Sequence, residues 1–191
     1  MTTIDLKLFY FLNDLAGQYH FFDNLVIFFA SYLQYFLIVV FALLLFFSQY
    51  PKFEKIYIFL ACTGSGIIGK IGVTELIRFF YHRPRPFVEH TVNKLLSTGL
   101  FYADTEWSFP SGHSTFFFAM AMTIYLYNKK WGTGFFIAAF FINISRIIAG
   151  VHYPSDILGG FVIGLLLGYI IYILAEKYKS KLISVITQYL N

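Results

Sequence analysis

The sequence predicts an all-α protein: a polytopic membrane helix bundle of about five transmembrane helices, preceded by an interfacial helix. Three observations favour this fold class. Of the 191 residues, 58% are hydrophobic and only 13% are charged, whereas soluble globular domains are about 25% charged. The apolar residues form long runs without a charge, as spanning helices require. Lysines cluster between these runs. At this length we expect one membrane-embedded domain, residues 1–191.

Five charge-free runs define the predicted spans, and the longest extends from Leu25 to Pro51. Several runs are shorter than the roughly 20 residues that a span needs. Their helices must therefore include polar or charged ends. The predicted helices are residues 25–49, 54–81, 112–128, 131–150 and 156–177.

Residues 1–23 differ from the spans because charged residues interrupt their apolar and aromatic side chains. They lack the basic region and uninterrupted apolar core of a cleaved signal peptide. We interpret them as an amphipathic helix lying in the membrane interface. A sixth span is the alternative.

The placement of lysines predicts the orientation. With five spans, three basic clusters lie at one end of the bundle: Lys52 and Lys55; Lys129 and Lys130; Lys177, Lys179 and Lys181. Lysine-rich short loops face the cytoplasm. We therefore expect a multi-pass cell-membrane protein with a cytoplasmic C-terminus and an extracytoplasmic loop at residues 82–111. The net charge of +4 reflects this topology and does not indicate nucleic-acid binding.

Three polar segments fall at the predicted outer end. The first, "TELIRFFYHRPRPF", ends in Arg83-Pro84-Arg85-Pro86, where the prolines stop the helix. An ordinary helix end with interfacial arginines would explain this segment taken alone.

The second segment is "WSFPSGHSTFFF", in which Pro110 begins a new helix. Ser111 and Ser114 can cap that helix, and Gly112 lets a ligand approach the backbone closely. A helix N-terminus attracts phosphate through its unpaired N–H groups, and His113 lies in the first turn. The alternative is a capped helix with an interfacial histidine.

The third segment, "SRIIAGVHYPSD", places Arg146 at the end of the fourth span and His152 in the following turn. Asp156 comes four residues after His152. A carboxylate that holds one ring nitrogen of a histidine leaves the other free to attack; alternatively, Asp156 only caps the fifth span. Arginines match phosphate oxygens bidentately. Together the three segments therefore indicate phosphoryl transfer.

In these motifs the chain resembles the type 2 phosphatidic acid phosphatase (PAP2) superfamily. Its pattern combines Lys-x6-Arg-Pro, Pro-Ser-Gly-His and Ser-Arg-x5-His-x3-Asp. The motifs that end at Pro86, His113 and Asp156 match it in order and spacing. One position differs, because Arg78 stands where the family has lysine.

The resemblance implies a mechanism without a metal or other cofactor. His152 would attack phosphorus, Asp156 would orient it, and His113 would protonate the leaving oxygen and then activate water. The phosphoryl oxygens would be held by Arg78, Arg85, Ser111, Gly112 and Arg146.

Within the superfamily, the chain is similar to bacterial undecaprenyl pyrophosphate phosphatases of the bacitracin-resistance type. The implied substrate is a prenyl diphosphate in the bilayer, with possible contacts to its second phosphate from His82, Arg83, Glu89 and His90. Phosphatidylglycerophosphate and phosphatidic acid are alternative substrates. A lipid-binding or transport protein without catalysis is an alternative of another class, and a haloperoxidase is a remote one.

Overall fold

Helices form nearly all of the regular structure in the computed structural model, which describes residues 3–96 and 107–190. These residues contain no β-strand, only an isolated bridge between Pro84 and Trp107, so the all-α prediction is confirmed. Seven helices occur within them: α1 (Thr3–Asn13), α2 (His20–Phe46), α3 (Lys52–Phe80), α4 (Pro86–Glu89), α5 (Gly112–Tyr127), α6 (Lys129–Ile148) and α7 (Pro154–Leu190).

Four of these helices are long and apolar enough to cross a membrane: α2, α3, α6 and α7. The remaining predicted span, residues 112–128, is α5, with 16 residues. At 1.5 Å per residue it is about 24 Å long, shorter than the roughly 30 Å hydrocarbon core. It packs against α3, α6 and α7, and its buried side chains include Phe117, Met120 and Ile124. This short helix therefore forms the centre of the bundle.

The predicted boundaries are correct to within a few residues except at the C-terminus. Helix α2 ends at Phe46 because the N–H and hydroxyl of Ser48 both donate to the Leu45 carbonyl. Helix α7 continues to Leu190, well past residue 177, because no glycine or proline interrupts it there. The predicted loop at 82–111 contains α4. Its residues 97–106 lie outside the described part of the chain.

Glycines set the distance between α5 and α7. A Cβ added to Gly160 would lie 2.5 Å from the Ser114 Cβ, and one added to Gly164 would lie 2.9 Å from the Phe118 Cβ. Such small residues let spanning helices approach closely. The same contact joins the helix starts, because the Ser114 hydroxyl donates to the Ile157 carbonyl at 2.7 Å.

The N-terminal helix α1 has 11 residues, about half the length that a span needs. It packs against α6 and α7, with Phe9 fully buried and its ring 5.4 Å from that of Tyr153. Ile4 and Phe11 are exposed. At this length α1 is too short for the sixth span, and its location in the membrane interface stays a prediction.

The basic clusters meet at the opposite end of the bundle. Lys179 pairs with Glu54, and Lys55 donates to the Phe46 carbonyl at 2.7 Å. The Tyr50 hydroxyl donates to the Tyr127 carbonyl at 3.5 Å. One end of the bundle is therefore rich in lysine, and the other carries the three polar segments.

Candidate active site

Helix α3 presents Arg78 to the site after its π-helical segment, Ile68–Thr74. The Arg78 side chain is buried, and its guanidinium donates to the Glu75 carboxylate and to the Pro110 carbonyl, each at 3.0 Å. The bond to the Pro110 carbonyl joins the first polar segment to the second polar segment. Arg78 therefore lies at the start of α5.

Arg85 enters the site from an extended segment. Its φ and ψ are −76° and 157°, and the following Pro86 begins α4, a position that proline favours. The Arg85 side chain is buried and donates to the Val151 carbonyl at 3.3 Å. Nearby, the Ser108 N–H donates to the Arg83 carbonyl at 2.7 Å. The first segment is thus joined to both of the others.

The N-terminus of α5 lies at the floor of the site. Ser111 is its N-cap and accepts the Ser114 N–H at 3.4 Å. The Ser111 N–H donates to the Asp156 carbonyl at 3.0 Å. Gly112 is buried and His113 is partly exposed, so the imidazole can meet a ligand above the first turn. This geometry is typical of a helix that binds an anion.

A glycine turn carries the third segment from α6 to α7. Gly150 has a φ of +77°, and a Cβ added there would lie 2.9 Å from the Asn93 carbonyl oxygen. Arg146, in the last turn of α6, is 1% exposed and donates to the Ala30 carbonyl at 3.1 Å. Two residues after Gly150 the turn reaches His152.

His152 and Asp156 form a buried pair. The distance from His152 Nδ1 to Asp156 Oδ2 is 3.4 Å, and the Tyr153 N–H donates to the same oxygen at 2.8 Å. With the proton on Nδ1 directed at the carboxylate, Nε2 carries the lone pair. Burial holds the pKa of His152 well below its usual value, and the positive charges of Arg85 and Arg146 lower it further. The imidazole is therefore neutral.

Arg83 belongs to a network that the sequence did not predict. Its guanidinium donates to Asp156 Oδ1 at 2.7 Å, to the Ser155 hydroxyl at 2.6 Å and to Asp5 Oδ2 at 2.5 Å. Asp5 also accepts the N–H and hydroxyl of Ser155, at 2.9 and 2.7 Å. Burial opposes ionisation of Asp5, but the bonds from Ser155 and Arg83 outweigh it and lower its pKa. Arg83 thus contacts two carboxylates, and its contact to a second phosphate stays a prediction.

The other expected contacts to a second phosphate lie around the rim. His82 is exposed, and its ring centroid is 4.6 Å from that of Trp107. Glu89 is exposed at the end of α4. The His90 ring lies 6.2 Å from Tyr10 and 6.3 Å from Tyr153. No contact described in the structure joins these three side chains to His152.

Lys70 is a further basic residue at the site that sequence reasoning missed. It lies in the π-helical segment of α3, and its Cγ is 3.3 Å from the position of a Cβ added to Gly112. The only sequence signal was a lysine inside an otherwise apolar run. The arrangement as a whole brings several cations and a helix N-terminus to a neutral histidine, which suits an anionic substrate.

Comparison with known proteins identifies a family and several relatives of this chain. The family profile of the PAP2 superfamily matches residues 54–180. The bacitracin transport permease protein BcrC of Bacillus licheniformis is 33% identical over 178 residues, 91% of this chain and 82% of the relative. The undecaprenyl-diphosphatase BcrC of Bacillus subtilis (strain 168) is 29% identical, over 88% of this chain and 83% of the relative. The crystal structure of Aquifex aeolicus LpxE superimposes with a TM-score of 0.63 at 27% identity, covering 93% of this chain and 97% of that chain.

Proposed function

The chain belongs to the PAP2 superfamily, and on that basis we propose that it removes the terminal phosphate of undecaprenyl diphosphate through a phosphohistidine. The observation that carries the proposal is the neutral, buried His152 beside Asp156, in a pocket with three arginines. The similarity to an undecaprenyl-diphosphatase over most of both chains supports this substrate.

The first half of the reaction transfers the phosphoryl group to the enzyme. His152 Nε2 attacks the terminal phosphorus, and the bond from phosphorus to the bridging oxygen breaks. His113, in the first turn of α5, protonates that oxygen, so undecaprenyl phosphate leaves. Asp156 stabilises the positive charge that forms on the His152 ring, at a distance of 3.4 Å.

The second half returns the enzyme to its starting state. His113, now neutral, removes a proton from water, and the oxygen attacks the phosphohistidine. The P–N bond breaks and inorganic phosphate is released, so the net reaction consumes one water molecule. Arg78, Arg85, Arg146 and the N-terminus of α5, with Ser111 and Gly112, stabilise the phosphoryl oxygens in both steps.

The orientation of the bundle would put this reaction outside the cytoplasm. The lysine-rich end faces the cytoplasm under the positive-inside rule, so the site at the opposite end faces outward. Hydrolysis there would regenerate a carrier lipid for cell-wall synthesis on the face where the diphosphate is left.

Phosphate release from purified protein in detergent tests the proposal. Undecaprenyl diphosphate, phosphatidylglycerophosphate and phosphatidic acid should be compared under the same conditions, for the wild type and for His152→Ala. We expect undecaprenyl diphosphate to be preferred, and His152→Ala to lower turnover on the order of 10³-fold or more. A preference for either glycerophospholipid would overturn the substrate assignment.

The same variant separates catalysis from transport, the function named for one relative. In a protein that only captures or moves the lipid, His152→Ala would leave function intact while Arg85 and Arg146 remained. We expect the variant to bind undecaprenyl diphosphate but not hydrolyse it. Trapping of phosphate on the wild type after rapid acid quench, absent in the variant, would identify the covalent intermediate.

A further inference from the structure

Lys70 is a charged residue inside a membrane span. Helix α3 runs from Lys52 to Phe80, so Lys70 lies ten residues before its end and close to its middle. A lysine at that depth is unfavourable unless it reaches water or an anion. The side chain is exposed. In the part of the chain that the structure describes, its ammonium has no hydrogen bond or ion pair.

The Lys70 side chain passes directly over the start of α5. A Cβ added to Gly112 would lie 3.3 Å from the Lys70 Cγ and 3.9 Å from its Cε. Gly112 is the first residue of α5, in the turn that forms the floor of the site. Two residues before Gly112, the Pro110 carbonyl accepts a hydrogen bond from Arg78 at 3.0 Å. Lys70 is therefore part of the same cationic pocket.

The position of Lys70 relative to Arg78 gives it a distinct role. Lys70 precedes Arg78 by eight residues, about 12 Å along α3, and so lies deeper in the membrane. Arg78 is held by Glu75 and by the Pro110 carbonyl. Lys70 instead has a flexible four-carbon side chain that ends in an ammonium with three N–H donors. The pocket thus has a fixed cation at its outer side and an adaptable one at its lipid side.

A lipid diphosphate places its two phosphates in a fixed order. The terminal phosphate must reach His152, and the acyl or prenyl chain must stay in the bilayer. The phosphate that remains on the lipid then lies between the catalytic pocket and the hydrocarbon. Lys70, near the middle of α3, is a basic residue at that side of the pocket. A phosphate monoester lipid has no second phosphate to contact it.

We propose that Lys70 binds the phosphate that stays on the lipid product and so selects diphosphate over monoester substrates. Its ammonium neutralises the charge that develops on the leaving phosphate when the anhydride bond breaks. This inference rests on the proposed phosphatase function and assigns the specificity of that site.

The test is a comparison of two substrates in four proteins. Wild type, Lys70→Met, Lys70→Arg and the control Lys52→Met, at the far end of the same helix, are assayed for phosphate release from undecaprenyl diphosphate and phosphatidic acid. For Lys70→Met we expect kcat/KM to fall roughly 10- to 100-fold on the diphosphate, the loss of a charge-assisted contact. The fall on the monoester should be smaller, because that substrate has no second phosphate for Lys70 to contact. Lys70→Arg should restore part of the diphosphate activity, and Lys52→Met should match the wild type.

Equal losses on both substrates, or no loss on either, would overturn the assignment of Lys70. A wild type that prefers phosphatidic acid would instead overturn the proposed function, so the two failures differ. Lys70→Gln, which keeps a polar side chain of similar reach, replaces Lys70→Met if that variant is not monodisperse in detergent. Inhibition by pyrophosphate gives a second readout: it should weaken in the Lys70 variants, whereas inhibition by orthophosphate should not.

Discussion

At the scale of single residues, the proposed mechanism requires a neutral histidine in a strongly positive pocket. His152 is 1% exposed, and burial together with Arg85 and Arg146 holds its pKa well below the usual value of about 6.5. Asp156 is kept in place by Arg83, at 2.7 Å, and so remains available to the imidazolium that forms during the reaction. The arginines proposed to bind phosphate thus also favour the neutral form of His152 that the proposed mechanism needs.

The low pKa of His152 predicts the acid limb of the pH profile. A proton on Nε2 blocks attack, so activity is lost as the pH falls through the pKa of the folded enzyme. Because that pKa is lowered, protonation of His152 should not reduce kcat/KM near pH 6.5. The decline should appear only at lower pH. Phosphate release measured between pH 4.5 and 8 checks this. A half-maximal value at about pH 6.5 would contradict it.

At the scale of elements, α1 completes a site that otherwise belongs to the spans. It lies outside the matched family region, residues 54–180, yet Asp5 binds both Arg83 and Ser155. Through Arg83 it positions Asp156, and through Asp156 it acts on His152. We therefore regard Asp5 as a positioning residue.

Replacement of Asp5 tests this role of α1. In Asp5→Asn, Arg83 loses one of its two carboxylate partners, and we expect kcat to fall about tenfold with KM nearly unchanged. Asp5→Glu should recover part of kcat. The matched control is Asp14→Asn, because Asp14 follows the same helix and is exposed. A rise in KM with kcat unchanged would contradict the assignment.

The glycine contact between α5 and α7 makes a second prediction at this scale. In Gly160→Ala the new Cβ would meet the Ser114 Cβ at 2.5 Å and the Ser111 carbonyl oxygen at 2.7 Å. Separation of the two helix starts would move Asp156 away from Ser111, so we expect lower activity and a loss of about 1–3 kcal/mol in stability. Gly134→Ala on α6 is the control, because its Cβ meets nothing within 4 Å. Thermal unfolding in detergent and phosphate release measure both effects, and a Gly160→Ala protein as stable and active as the control would contradict the prediction.

At the scale of the whole molecule, the sequence predicted what depends on local pattern. Charge-free runs gave the spans, and short motifs identified His113, His152 and Asp156 as neighbours at one end. Asp5 could not be assigned, because its partner Arg83 lies 78 residues away. The contact between Lys70 and Gly112 could not be predicted either, because the two residues are distant in sequence and meet only through the packing of α3 against α5. The sequence therefore predicted the motif residues, whereas the supporting residues required the packing.

The two ends of the bundle differ in charge, and this difference predicts its orientation in the cell. Glu89 is exposed at the end that carries His152, and Lys130 is exposed at the lysine-rich end. Cys62 is fully buried, so Cys62→Ala removes the natural thiol from a background into which Glu89→Cys or Lys130→Cys is placed. By the positive-inside rule we expect a membrane-impermeant maleimide to label position 89 in intact cells, and position 130 only after permeabilisation. The reverse pattern would place the site in the cytoplasm, where a phosphatase could not act on a diphosphate left on the outer face.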